Sequence, residues 1–305
     1  MAMRTWFGEL DGEKVTLIGR SADELVKWVE SSDSKRLAKD ISLECLAIKS
    51  GLCSSPAGYK RLLHETAMRV ARDKIAVSLA GKDAYLIQAV RALDDLNEAF
   101  NIISGRIAEW YGIHFPEKRM RPGELIDFIL QYGSKDASGQ DAAASSIGAP
   151  MTEEDVSTIQ GIALTAKALF WQRKALEDYV IKIMEELAPN LSKVLGPILG
   201  ARLIARAGSL EKLAKMPASS IQVMGAGEAL FKHLKMGTPP PKHGLIYKHP
   251  LISGSPKKAR GKISRMLAGK AAIAARIDYY SGEVADLGDM KERAAAIKSR
   301  ARKKA

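Results

Sequence analysis

Between Ala229 and Ile277 the chain carries eleven Lys and Arg and no Asp or Glu. The cations are Lys232, Lys235, Lys242, Lys248, Lys257, Lys258, Arg260, Lys262, Arg265, Lys270 and Arg276, with His233, His243 and His249 among them. A surface this one-sided repels itself unless an anion lies on it. Phosphate backbone is the commonest such anion.

Three features within and beside the run place donors. Gly225-Ala226-Gly227 opens a predicted helix, Glu228–Lys235. Glycines let backbone approach a phosphate closely, and free N–H groups with the helix dipole favour an anion there. Lys232, His233 and Lys235 lie on that helix. The loop 237–244, GTPPPKHG, is stiffened by three prolines and presents Lys242 and His243 at its exit, with Lys248 just beyond. A stiff loop orders its donors at low entropic cost. Arg260, Lys262 and Arg265 in RGKISR are expected to begin a further helix, and a guanidinium matches two phosphate oxygens at once.

Catalytic and cofactor signatures are missing. The chain has no GxxxxGK[ST], no GxGxxG after a predicted strand, no GxSxG and no HExxH. His64, His114, His233, His243 and His249 do not share metal-ligand spacing. The acid pairs Asp94-Asp95 and Glu185-Glu186 read as solvated helix faces. No catalytic residue, metal or cofactor is expected in this chain.

Charge divides the molecule. The net charge is +12, yet residues 190–305 hold 23 Lys and Arg against 7 Asp and Glu, while residues 1–189 hold 24 against 28. The anion partner therefore belongs to the C-terminal part. Cys45 and Cys53 are too far apart for a CxxC site and read as free thiols of a reducing compartment. No apolar signal core or membrane-length stretch is present, so a soluble, cytoplasmic protein without a membrane partner is expected.

The fold class expected is mainly α, with a small α/β N-terminal domain, a long antiparallel coiled-coil hairpin and an all-α C-terminal domain. Arg4–Gly8 and Val15–Ile18 read as a hairpin turned at Asp11-Gly12. Helices Ala22–Glu30, with Ser21 as N-cap, and Gly58–Val77 complete a domain over 1–82. Residues 83–188 hold the coiled coil. Leu86, Leu93, Phe100 and Ile107 recur every seven residues, and Ala89, Leu96, Ile103 and Trp110 follow three later. Gly112 and Pro116 are expected to stop this helix. The second helix runs from Thr152, its N-cap, to Leu187. Its seam is read as Ile162, Leu169, Leu176 and Ile183, with Ile159, Ala166, Val180 and Leu187 as companions and Arg173 interrupting them. A hairpin leaves apolar surface at its tip and flanks, which suits a homodimer. Residues 133–150, small and polar, read as a mobile loop. Short helices broken at Gly196-Pro197, Gly208 and Pro217 follow over 189–290, and 291–305 is a basic tail.

The segment from VLGPILGARLIARAGSLEKLAKMPASSIQVMGAGEALFKHL through PPPKHGLIYKHP to RGKISRMLAGKAAIAARIDYYSG resembles the Nop domain. RIAEWYGIHFPE, Arg106–Glu117, resembles the end of that family's first coiled-coil helix. The likeness covers roughly 85–285 and is specific over Gly200–Gly282. It implies an archaeal, non-catalytic scaffold of box C/D small ribonucleoproteins. Its expected partners are a guide RNA kink-turn, the archaeal kink-turn-binding protein, fibrillarin and a second copy of itself. S-adenosylmethionine would serve fibrillarin, the ribose 2′-O-methyltransferase, rather than this chain. By the same resemblance Gly225, Ala226, Gly227, Lys232, His233, Lys235, Lys242, His243, Lys248, Arg260, Lys262 and Arg265 form the RNA-binding surface. Gly227 and Glu228 depart from the family pattern GAEKALF and leave one cation fewer at the helix start. The long Lys/Glu-rich extension of many relatives is also absent.

One other reading competes. LIARAGSLEKLAKMPASSIQVMGAG also resembles a helix-hairpin-helix of a DNA-binding factor, which would leave the heptads and HGLIYKHP unexplained. A coiled-coil adaptor with an incidental basic half is the third.

Overall fold

The computed structural model describes residues 3–11, 14–31, 42–139 and 145–303. It divides into two compact units, Met1–Gly81 and Lys82–Ala305. It is mainly helical, with one small sheet.

In the first unit β1 (Met3–Arg4), β2 (Gly8–Asp11) and β3 (Lys14–Leu17) form an antiparallel sheet in the order β1-β2-β3. The expected first strand, Arg4–Gly8, is corrected. Both the Thr5 amide and its hydroxyl donate to Gly8 O at 2.8 Å, folding residues 5–8 into a turn. The hairpin is therefore β2–β3, with Leu10 opposite Val15. The expected turn at Asp11-Gly12 falls partly outside the described residues. Helix α1 (Ala22–Glu30) starts at Ser21, whose hydroxyl accepts from the Glu24 amide while the Glu24 carboxylate accepts from the Ser21 amide. This reciprocal cap satisfies two otherwise orphaned donors. Helices α2 (Leu43–Lys49) and α3 (Pro56–Leu79) follow. Phe7, Leu25, Ala47, Leu52 and Tyr59 form the core of this unit.

The second unit is built on two long helices, α4 (Lys82–His114) and α6 (Glu153–Leu187), with α5 (Pro122–Tyr132) beside them. They run antiparallel: Lys82 pairs with Glu186 at one end, and Phe100 meets Phe170 further along. Leu86, Leu93, Phe100 and Ile107 are all buried. Helix α4 continues through Gly112 and ends at His114, two residues before Pro116, so glycine alone does not stop it. On α6 the expected seam is corrected. Ile159, Ala163, Ala166, Val180 and Met184 are buried, while Ile162, Leu169, Leu176 and Ile183 are only half-buried. Small Ala163 and Ala166 admit the neighbouring backbone, so the less bulky row sits at the contact and the larger side chains flank it. Arg173 stays in the buried row because its guanidinium lies 5.6 Å from the Phe100 ring centroid and 5.0 Å from that of Phe170. Its Nη1 also donates to Asn97 Oδ1.

The described residues of the segment 133–150, read from composition as a loop, are joined to the end of α4 and the residues after it by hydrogen bonds. His114 accepts the Lys135 amide at Nε2 (2.8 Å) and meets Ala149 O through Nδ1 (2.7 Å). Lys135 Nζ donates to Gly148 O, and Glu117 accepts from Ser146 Oγ and the Ile147 amide. Residues 140–144 lie outside the described residues.

Beyond Leu187 come α7 (Pro189–Leu195), α8 (Pro197–Ala207), α9 (Leu210–Lys215), α10 (Ala218–Val223) and α11 (Gly227–Met236). A 3-10 turn, Leu245–Lys248, and α12 (Pro250–Ser253) lead to α13 (Lys257–Tyr280) and α14 (Met290–Lys303). Helix α13 is the axis of this part. Ala259, Ala268, Ala271, Ala272, Ala274 and Ala275 are buried along it, and such small residues let α7, α9 and α10 pack closely against it. The root of the long hairpin belongs to the same core, since Leu86, Ala89, Val90, Val180 and Met184 join it. The tail expected at 291–305 is helical to Lys303, with Ala294 buried.

Candidate nucleic-acid interface

The interface is set by how residues 242–245 lie against the end of α10. Gln222 Nε2 donates to Lys242 O (2.7 Å), the Gly244 amide to Gln222 O (2.9 Å) and the Leu245 amide to Met224 O (2.7 Å). A Cβ at position 244 would stand 2.0 Å from Met224 O, so only glycine permits this approach. Gly225 has φ +84°, which turns the chain from α10 into α11. The two segments thereby bring Gly225, Lys242, His243 and Lys248 into one neighbourhood.

An aromatic side chain organises the cations there. The His243 ring stacks on Tyr247 with centroids 4.6 Å apart and 21° between planes. The Arg260 guanidinium stands 5.4 Å from the Tyr247 centroid. Partial burial, and after it the charges of Arg260 and Lys242, holds His243 below the ordinary histidine value, although a backbone hydrogen bond acts the other way. A neutral imidazole can stack beside a guanidinium without added repulsion. Tyr247 was not singled out from sequence. Its signal is an aromatic residue inside an acid-free run, three residues from a glycine.

Arg260 corrects a second expectation. The helix it was expected to open begins three residues earlier, at Lys257. From its first turns Arg260 reaches back, donating from Nε to Ser255 O (2.8 Å) and from Nη2 to Ser253 O (3.3 Å). It braces the α12–α13 corner, so only part of its donor set can face an anion. Arg276 is likewise occupied, donating to Ala214 O at the end of α9. Lys262 and Arg265 are exposed, three apart on one face of α13, and their side chains make no hydrogen bond or ion pair among the described residues.

Helix α11 projects from this neighbourhood, and none of its residues is buried. Ala226 is its N-cap without a side-chain capping bond, and Gly227 and Glu228 form its first turn. Its backbone N–H groups are thus available at the positive end of the dipole, with one carboxylate beside them. His233 bonds through Nδ1 to Thr238 O, fixing the turn after the helix. Lys235 lies 4.7 Å from the Phe231 ring centroid, and Lys232 is fully available. Phe231, Leu234 and Met236 are exposed, Leu234 at 75%. An element that exposes both cations and large apolar side chains fits a composite partner of nucleic acid and protein.

Among the described residues no group of three or more His, Cys, Asp or Glu is placed to hold a metal ion. No described helix is long and apolar enough to cross a membrane.

A family model described as "Nop: snoRNA binding domain, fibrillarin" matches residues 92–302. A NOP5 family protein of Methanocaldococcus jannaschii is 40% identical over 257 residues, 75% of this chain and 60% of that protein. Nucleolar protein 58 of Schizosaccharomyces pombe is 35% identical over 83% of this chain and 53% of its own length. Nucleolar protein 56 of Saccharomyces cerevisiae is 38% identical over 70% and 47%. The chain thus spans about half the length of the curated relatives it matches. A crystal structure of a fibrillarin/Nop5p complex contains a chain that aligns over 99% of both, at 25% identity and a TM-score of 0.45.

Proposed function

The chain belongs to the Nop family, and on that premise we propose that it is a non-catalytic scaffold of an archaeal box C/D small ribonucleoprotein. In this reading it joins a guide RNA, with the kink-turn protein already bound, to the fibrillarin methyltransferase that modifies ribose 2′-hydroxyls. The supporting observation is the juxtaposition of α11 with the 242–245 segment. Lys232, Lys235, Lys242, Lys248 and Arg265 supply phosphate contacts, while Phe231 and Leu234 meet the kink-turn protein.

The functional division follows the charge. Residues 189–290 meet RNA, and residues 1–82 hold fibrillarin. Residues 83–188 form the hairpin that pairs two copies. Exposed Leu164 and Trp171, seven residues apart on α6, support that pairing. Chemistry resides on fibrillarin with its S-adenosylmethionine, and the complex works in the archaeal cytoplasm.

A gel shift with a box C/D kink-turn RNA, with and without the archaeal kink-turn protein, tests the reading. A supershift by this chain only when the kink-turn protein is present is the expected result. Direct binding of duplex DNA, with no supershift, would replace it with the helix-hairpin-helix alternative.

A further inference from the structure

Beside the interface, α4 and α8 enclose a cavity of about 350 Å³ lined by Arg91, Asp94, Arg202, Arg206, Gly225 and Lys248 among others. We infer that this notch is a second phosphate site, which takes a backbone phosphate of the same RNA that lies on α11. The inference rests on the RNA-binding reading and extends it to a helix of the long hairpin.

Four cations and one acid converge there from three segments. Arg91 and Asp94 are three apart on α4, and Arg202 and Arg206 four apart on α8, so each pair shares a helix face. Lys248 closes the notch from the end of the 3-10 turn. The acid is already matched: Arg202 Nη2 donates to Asp94 Oδ1 at 2.5 Å, and the Arg202 side chain is only 18% exposed. Arg202 Nε is buried without a hydrogen-bond partner. Arg91, Arg206 and Lys248 make no ion pair among the described residues. Three uncompensated cations therefore face a half-enclosed space, where they repel one another until an anion with several acceptor oxygens enters. Guanidinium groups suit such an anion because they engage two oxygens at a time.

A phosphodiester fits better than a nucleotide. Among the lining residues Val90, Ala205 and Leu245 are the apolar ones, and no aromatic ring offers a base a stacking surface. Continuity points the same way. Gly225 and Lys248 belong both to the notch and to the interface, so the two adjoin through these residues. Sequence reading passed over this site because Arg91, Arg202 and Arg206 lie outside the acid-free run.

The test uses the full chain and a fluorescein-labelled kink-turn RNA carrying the kink-turn protein, with anisotropy titrations over a range of salt. The double variant Arg91→Ala/Arg206→Ala is expected to bind about tenfold more weakly. Its log K against log salt slope should be shallower by about 0.9, the value for one phosphate neutralised on a duplex. Asp94→Asn is expected to bind more tightly, a direction that a purely structural role for this cluster does not produce. Unchanged affinity and slope in the double variant, with a loss in Lys232→Ala/Lys235→Ala on α11, would overturn the notch and leave the RNA reading intact. A loss in the double variant but not in the α11 variant would keep the notch and overturn α11 as the main contact. No loss in either would overturn both. Inorganic phosphate titrated by phosphorus NMR separates the sources: phosphate binding that needs Arg206 while RNA affinity does not would make this a free-phosphate site and overturn the proposal. Should the double variant melt early, the single variant Arg91→Ala, at an exposed position that belongs to the notch alone, is held to the same criterion.

Discussion

Asp278, near the end of α13, caps the start of α7 through Asn190. Its Oδ1 accepts from the Asn190 amide (3.0 Å) and from Asn190 Nδ2 (2.7 Å), and its Oδ2 from the Leu191 amide (2.8 Å). Asn190 passes the link on, donating to Glu283 O and accepting from the Ala285 amide, both at 2.7 Å. Two residues 88 positions apart thus hold the first turn of α7, the end of α13 and the segment beyond it in one buried network. Asp278→Ala leaves three buried donors without an acceptor, and its expected cost is on the order of 3 kcal/mol. Asp278→Asn keeps one acceptor oxygen and should lose less. Urea unfolding followed by circular dichroism measures both, and equal stability of wild type and Asp278→Ala would refute the capping role.

The hairpin provides a ranking. Val180 is fully buried against α4, whereas Leu176 is half-buried. Leu176 is the larger side chain, so a seam read from residue size places the greater loss there. The geometry reverses the order. Val180→Ala is expected to cost about 1–2 kcal/mol, and Leu176→Ala less despite removing more atoms. Leu93→Glu, which puts a charge where the side chain is wholly buried, should unfold the hairpin outright. Melting temperatures of the three variants check the ranking, and a larger drop for Leu176→Ala than for Val180→Ala would restore the sequence-based seam.

Periodicity and capping chemistry made much of this fold legible. Ser21 and Thr152 mark helix starts, because an oxygen at the N-cap with an acid three residues later satisfies orphan amides locally. The heptads of α4 are local as well. What was not legible depends on distant partners. Helix α5 is an exception: it went unread although Pro122 opens it and Leu125, Ile126, Phe128 and Ile129 make one buried apolar face, a signal the sequence does carry. The segment 133–150 has a disordered composition, yet His114, Glu117 and Lys135 tie down its described residues. In the candidate site the acid-free run singles out a stretch of chain but not the role of each cation in it. It could not separate Arg260, which braces a corner, from Arg265, which is free, since both read alike as cations in one peptide.

Acid sensitivity should centre on His249. Burial lowers its proton affinity below the ordinary value, against an opposing backbone hydrogen bond with Val194. Its Nδ1 accepts from the Leu251 amide at 3.2 Å and caps α12, a bond the protonated ring cannot make there. The unfolded chain takes up this proton first, at about pH 6.5. Stability is therefore complete above that pH and falls as the pH drops through the lower folded value. His243 shifts in the same direction and adds to the effect. Asn at 249 can cap as well and does not titrate, so His249→Asn should flatten the dependence of unfolding free energy on pH between about 7.5 and 5.5. Identical slopes in variant and wild type would exclude His249 as the source.

The basic residues should separate by role when replaced one at a time. Lys232→Ala and Arg265→Ala remove exposed, unbraced charges, so each should weaken assembly on kink-turn RNA while leaving the melting temperature and the oligomeric mass unchanged. Each should also reduce the salt slope by about one unit if it contacts a phosphate. Arg260→Ala should weaken assembly too, but with a loss of stability of about 1 kcal/mol, because Ser253 O and Ser255 O lose their donor and Tyr247 its neighbour. Arg260→Lys restores the charge without the planar fork and should recover the salt slope more fully than the stability. Anisotropy titrations paired with thermal melts give both quantities for each variant. If Arg260→Ala matched Arg265→Ala in both, the bracing role would be wrong. If Lys232→Ala and Arg265→Ala left assembly unchanged, the RNA surface would have to be sought elsewhere on the basic half.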